Sequence, residues 1–184
     1  MSKIILASSS PRRKELLKKA GIDFIIDASS IDEVMDESLP LEERLMKLAT
    51  DKIIDIHYKY PQDIVIGADT VVCFQNQIIG KAKDENHARE ILKTLSNHKH
   101  TVYTAVAIYF QDELMTFVDH TDVYFKDISY MIEEYIASQD WVGKAGAYGI
   151  QGSADKFVDH IEGDKDTVIG LPVQSLVKIL LNRK

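Results

Sequence analysis

Ser8, Ser9 and Ser10 followed by Pro11, Arg12, Arg13 and Lys14 place hydroxyls and cations where the apolar run Ile4-Ile5-Leu6 turns into a helix. Ser10 is suited to the N-cap and Pro11 to the first helical position, because proline lacks the N–H that would have no intrahelical partner there. The first-turn amides, the helix dipole and three adjacent cations together make an anion site suited to phosphate or carboxylate. Further along, Asp69 interrupts the run Ile64-Val65-Ile66-Gly67-Ala68-Asp69-Thr70-Val71-Val72. An ionised carboxylate in such a strand costs several kcal/mol unless it is paired or holds a metal. Gly67 and Ala68 beside it allow another chain segment or a ligand to approach the backbone closely.

Two lysines and a glutamate could join these groups. Lys81 follows Ile78-Ile79-Gly80 and would turn back toward Asp69 if the chain makes a hairpin around residues 75–77. Lys52 lies on the turn of a helix after Leu48 and Ala49, with its stem along apolar surface and its head expected to be free. Glu33 sits in a polar loop. The stretch Gly143-Lys144-Ala145-Gly146-Ala147-Tyr148-Gly149-Ile150-Gln151-Gly152 has glycine every third residue, which excludes a stable helix and implies a backbone bent closely around something. The Gln151 amide offers a donor and an acceptor together, as the edge of a base requires. His98 and His100, and the group Asp119-His120-Thr121-Asp122, read as decoration of strand ends, since no cysteine or third histidine completes a metal set.

Positioning these groups requires an α/β fold. Helical spacing runs from Pro11 to about Ala20, from Leu41 to about Tyr58, over Glu85–Leu95, near Tyr130–Ser138 and from Pro172 to Leu181. Strands are expected at Ile4–Leu6, Ile22–Ile26, Asp63–Phe74, Ile78–Gly80, Val102–Phe110, Phe117–Phe125 and near Phe157–Ile161. The chain has 184 residues, 45% of them hydrophobic, which suits one domain over residues 1–184. A net charge of −7 argues against a nucleic-acid polymer as partner but not against a small anion held by a few focused cations. No run is long enough to span a membrane and no signal-peptide pattern is present, so a cytoplasmic protein is expected. The single cysteine, Cys73, lies in an apolar run and reads as a buried, inert thiol. Walker A, dinucleotide, HExxH and GxSxG signatures are all missing.

Taken in order, Ser8-Ser9-Ser10-Pro11-Arg12-Arg13, Gly67-Ala68-Asp69-Thr70, Gly80-Lys81, Lys144 to Gly152 and Gly170-Leu171-Pro172 resemble the Maf family of nucleoside triphosphate pyrophosphatases. The resemblance covers nearly the whole chain. It implies a fold related to inosine triphosphatase, with a long twisted mixed sheet flanked by helices and two lobes around a central cleft. It also implies hydrolysis of a nucleoside triphosphate to the monophosphate and pyrophosphate with a divalent metal, often by a homodimer. Within the family, Arg12, Thr70 and Gln151 are similar to the dTTP/UTP-directed members, for which modified pyrimidine nucleotides are further candidate substrates. Members directed at 7-methyl-GTP carry tryptophan, glutamine and glutamate there. Ala82 departs from the proline that usually follows Gly-Lys, which loosens the placement of Lys81 without removing a functional group.

Residues and resemblance imply one mechanism. A triphosphate carries about four negative charges, and attack at its α-phosphorus requires above all that the leaving pyrophosphate be neutralised. Arg13, Lys52, Lys81, the hydroxyls of Ser8 and Ser10 and the first-turn amides are expected to do this. Carboxylates such as Asp69 and Glu33 are expected to hold Mg2+ or Mn2+. Asp69 is the choice for the group that activates the water, as general base, as metal ligand or as both, since either role requires an ionised carboxylate near the α-phosphate. A non-catalytic nucleotide-binding regulator of septum formation is the alternative, which the retained carboxylates disfavour because a pure binder of a tetra-anion gains nothing from them. A sugar-nucleotide transferase is a third class, disfavoured because its first turn is usually rich in glycine rather than serine.

Overall fold

The computed structural model describes residues 2–181, in which the N-terminal part is built from parallel crossovers. Strand β1 (Ile4–Leu6) leads into helix α1 (Pro11–Lys19) and strand β2 (Ile25–Ile26), and helix α2 (Leu41–Lys59) then leads to β3 (Ile64–Phe74). Both neighbours of β1 are parallel to it, with Ile5 opposite Ile25 on one side and Val65 on the other. The chain therefore leaves β1 in one direction and returns on the opposite side. In open α/β sheets ligands bind beyond the carboxyl ends of strands at such a reversal. The serines after β1 occupy that place, and the β1–β3 ladder continues past Leu6 through a bond from the Ala7 amide to the Ile66 carbonyl of 2.8 Å.

Hairpins and short helices follow. Strand β4 (Gln77–Ile79) pairs antiparallel with β3, then come α3 (Glu85–Leu95), β5 (Lys99–Phe110) and β6 (Glu113–Phe125). Both hairpins turn on two residues with left-handed backbone, Gln75-Asn76 and Gln111-Asp112, the geometry that matches strand twist. Helix α4 (Ile132–Ala137), β7 (Val158–Glu162), α5 (Lys165–Ile169) and α6 (Val173–Leu181) complete the chain. The seven strands make one mixed sheet in the order β2-β1-β3-β5-β6-β7, with β4 paired to β3. Among the described residues no helix is long and apolar enough to cross a membrane. Sequence periodicity misses α5 and the 3-10 turn at Ser153–Phe157, each of five residues and too short to show a pattern.

The chain packs as two compact units, each assembled from separated segments. Unit 1 comprises residues 1–69, 104–119 and 170–184; unit 2 comprises 70–103 and 120–169. In unit 2, Ala88, Ile91 and Leu92 of α3 and Ile132 and Tyr135 of α4 share a core with Phe125, Trp141, Tyr148 and Phe157. In unit 1, Leu45, Leu48, Ala49, Lys52, Ile53 and Ile56 make the buried face of α2. The spacing is that of an amphipathic helix, so Lys52 stands in an otherwise apolar stripe.

Close packing of α2 on β3 depends on Gly67. A β-carbon there would collide with Cγ2 of Ile53 and stand 3.2 Å from the Ala49 carbonyl oxygen. The segment that approaches this glycine is therefore a helix of the same chain. Gly67→Ala should destabilise the protein by about 1–3 kcal/mol, the usual cost of overpacking. Denaturant titration would measure it, and an unchanged midpoint would mean that α2 can shift without loss.

Candidate active site

Five of the residues singled out in the sequence meet in unit 1. Ser8, directly beyond β1, is buried, and its Oγ accepts a bond of 3.1 Å from Nη1 of Arg13 and one of 3.3 Å from the Ser10 amide. Arg13 Nε donates to the Gly170 carbonyl at 2.8 Å. The guanidinium is thus aimed before any ligand arrives. Burial lowers its pKa from the ordinary arginine value; the Asp69 carboxylate acts against that, Arg12 adds to it, and Glu33 again opposes it. Arginine's ordinary value lies so high that the group stays charged at neutral pH.

Lys52 and Asp69 form the centre. The Lys52 Nζ donates to Oδ1 of Asp69, both side chains being 9% exposed, and lies 2.9 Å from Oε1 of Glu33. One ammonium thus serves two carboxylates from separate elements, α2 supplying the lysine, β3 the aspartate and the 27–40 loop the glutamate. The expectation that the Lys52 head is free is corrected here. Its stem follows the apolar face of α2, and that face packs on β3, where the ammonium meets the Asp69 carboxylate. Pairing offsets the desolvation of both charges, which accounts for a carboxylate inside an apolar strand.

Ser10 stands at the N-cap with Pro11 as first helical residue, as the sequence implies, but its side chain makes no capping bond. The Ser10 carbonyl accepts the first intrahelical bond, from the Lys14 amide at 3.3 Å. Arg12 follows on the same turn. Thr70 succeeds Asp69 along β3 and so points to the opposite face of the strand.

In unit 2 the remaining residues gather around the glycine-rich loop. Lys81 forms an isolated antiparallel bridge with Ala145, and the Gly146 amide donates to the Gly80 carbonyl at 3.0 Å. Gly146 has φ +66 and rests on Val72, whose Cγ2 would lie 2.7 Å from a β-carbon there. The segment this loop bends around is therefore β3. Gln151 is half-buried near the loop's end. Both ends of the loop meet one carboxylate: Asp140 accepts from Lys144 Nζ at 2.6 Å and from Ser153 Oγ at 2.6 Å.

His100 contradicts its reading as strand-end decoration. It is 1% exposed, and its Nε2 lies 2.7 Å from the hydroxyl of Tyr148 in the same loop. Burial pushes the imidazole down to about 4, so it is neutral at physiological pH. The run Lys99-His100-Thr101-Val102-Tyr103-Thr104 carries the signal, since alternation in a strand puts His100 on the face of Val102 and Thr104, which are also buried.

Among the described residues no cluster of three or more histidine, cysteine or acidic side chains could hold a metal. The site's own hard donors are the two carboxylates around Lys52. That set fits Mg2+ or Mn2+ bound through one or two carboxylates with substrate phosphates completing the shell, and does not fit a structural zinc.

The model of the family described as Maf-like protein matches residues 3–183 of this chain. A protein of Bacillus cereus named dTTP/UTP pyrophosphatase is 44% identical over 98% of this chain and 89% of its own length. A protein of Bacillus anthracis with the same name is 43% identical over 98% of this chain and 95% of its length. Among solved structures, the Ham1 protein of Staphylococcus aureus is similar at 17% identity over 68% of this chain and 73% of that one, with a TM-score of 0.47. With the family model spanning nearly every residue and relatives at this identity, the chain belongs to the Maf family.

Proposed function

We propose that this chain hydrolyses dTTP and UTP at the α–β phosphoanhydride bond, releasing the nucleoside monophosphate and pyrophosphate. Modified pyrimidine triphosphates are further substrates on this reading. The observation that carries it is the buried Lys52 shared by Asp69 and Glu33, with Arg13 held on Ser8 within electrostatic reach of both carboxylates. A site made only to bind a tetra-anion would be weakened by two carboxylates, whereas a site that must activate water needs at least one. The activity for which the relatives are named, at 44% identity over nearly the full length, supports the same chemistry. On this reading the protein is cytoplasmic and works as a homodimer.

In this mechanism Arg13, Lys52 and Lys81 neutralise the triphosphate, with the Ser8 and Ser10 hydroxyls and the first turn of α1 receiving phosphate oxygens. Asp69 accepts a proton from the attacking water, whose oxygen bonds to the α-phosphorus while the bond to the bridging oxygen breaks and pyrophosphate leaves. Lys52 orients the Asp69 carboxylate through their hydrogen bond. Asp69 and Glu33 would hold a divalent cation, which when bound spreads the negative charge of the phosphates. Arg12, Thr70 and Gln151 are assigned to recognition of the base, with Gln151 reading the base edge.

Asp69→Asn should lower turnover at least about a hundredfold while leaving triphosphate binding intact or tighter, since asparagine keeps the size but takes no proton. Single-turnover assays with Mg2+ or Mn2+, beside calorimetric binding, would decide this, and near-normal turnover would overturn the role. Arg13→Ala, Lys52→Ala and Lys81→Ala should each lower activity at least about tenfold, because each removes a charge-assisted phosphate contact of about 1.5–3 kcal/mol. Lys14→Ala should change little, since consecutive residues on a helix face different ways. Equal losses at Lys14 and Arg13 would reduce the cluster to a diffuse field. For specificity, kcat/KM measured on dTTP, UTP, ATP and GTP should favour the pyrimidines strongly, and Gln151→Glu should erode that preference more than it slows the reaction. A preference of the unsubstituted chain for a purine would remove the pyrimidine assignment and leave the pyrophosphatase standing.

A further inference from the structure

His100 sits in the core of unit 2 with one polar partner, Tyr148, and its Nδ1 is buried without a hydrogen bond. Its ring contacts are aromatic, and Asp122 acts on it only through its charge. The imidazole meets Phe125 edge-on with centroids 4.8 Å apart and Tyr148 at 5.3 Å, and Phe125 meets Tyr148 at 4.8 Å. Burial also raises the Tyr148 hydroxyl well above the ordinary tyrosine value, so the bond joins two neutral groups. Two apolar side chains of similar shape would fill this space with no orphaned nitrogen, which makes the pair a poor device for stability. What it supplies is direction, because a hydrogen bond in an apolar core is met by one orientation of the ring and lost in others.

Tyr148 stands three residues before Gln151, in the loop that also bridges Lys81 through Ala145 and bonds Gly80 through Gly146. Asp140 fixes the two ends of that loop from the more exposed side. Its middle is held from the core by the hydrogen bond between His100 and Tyr148. Ala147, immediately before Tyr148, has φ +56, a left-handed conformation that a non-glycine residue adopts at a cost. The hydrogen bond that follows it offsets that cost.

We infer that His100 and Tyr148 are positioning residues, whose hydrogen bond sets the glycine-rich loop so that Gln151 meets the base and Lys81 meets the phosphates in one register. The inference rests on the roles proposed above for Gln151 and Lys81. It assigns to two buried residues a share in specificity, transmitted from His100 through its hydrogen bond to the loop backbone that Tyr148 shares with Gln151.

The test compares Tyr148→Phe, the double variant His100→Leu/Tyr148→Phe and Gln151→Glu, each read for thermal stability and for kcat and KM on dTTP, UTP, ATP and GTP. Tyr148→Phe should lose about tenfold in kcat/KM on dTTP, carried mainly by KM, and about tenfold in preference for dTTP over ATP, with the fold intact. The double variant, which leaves no orphaned polar group, should equal or exceed the unsubstituted chain in stability while the preference stays lost. A purely structural pair would instead recover preference together with stability, which would overturn the inference. Selectivity within about twofold of the unsubstituted chain in Tyr148→Phe, while Gln151→Glu loses it, would also overturn it and leave the reading of Gln151 standing. Selectivity unchanged in both variants would remove the role of Gln151 and the inference with it.

Discussion

Everything in unit 1 is arranged around one buried ammonium. Lys52 reaches Asp69 and Glu33 from the apolar face of α2, and neither Lys52 nor Asp69 could be buried as an ion without the other. Removing the lysine would leave a carboxylate in the interior of β3 with its desolvation uncompensated, a loss of several kcal/mol in buried pairs of this kind. Packing the helix tightly enough to deliver Nζ to β3 in turn requires that residue 67 have no side chain. A glycine in the strand, an apolar stripe on the helix and an ion pair between them are thus one constraint expressed three times. The same arrangement holds a carboxylate in fixed orientation beside cations, which phosphoryl chemistry needs before substrate binds.

Much of this was legible in the residues. The strand, serine-rich turn and proline-started helix appear where the spacing of Ile4–Lys14 puts them, because N-cap and first-turn preferences act locally. Asp69 is conspicuous for the same reason that it must be paired: an apolar run does not tolerate it alone. Its partner was hidden. A lysine at a helical spacing shared with Leu48, Ala49 and Ile56 looks like a snorkelling surface residue until one knows that the helix lies against β3 rather than against solvent. Ser10 occupies its expected position without its expected bond, which shows that positional preference and side-chain geometry are separate facts. His100 was misread because its neighbours in sequence, His98 and Lys99, suggest a polar strand end, whereas alternation sends it inward.

The glycine-rich loop illustrates a second kind of information. Glycine every third residue forecasts a bent backbone but not what it bends around, and the answer, Val72 at Gly146, lies in β3. The polar residues that fix the loop, Asp140 and His100, come from outside it. No pattern inside ten residues could have named them. Sequence reading succeeds here for groups whose environment is set by near neighbours and fails for groups whose partners arrive from a different segment.

The bond from Arg13 to the Gly170 carbonyl joins residues 157 positions apart. A chain made from its N-terminus onward therefore has β1, α1 and the cationic turn early, but cannot latch Arg13 until residue 170 has been synthesised. Every segment of unit 2, by contrast, precedes that residue. Unit 1 waits for its last segment, and its closure carries the loop entropy of nearly the whole chain. During synthesis the serine-rich turn thus has its arginine unlatched, and the first turn of α1 acquires its final contacts only as residue 170 arrives. Of the two units, the one that holds the Lys52–Asp69 pair is thus the one that depends on a residue downstream of the whole of the other.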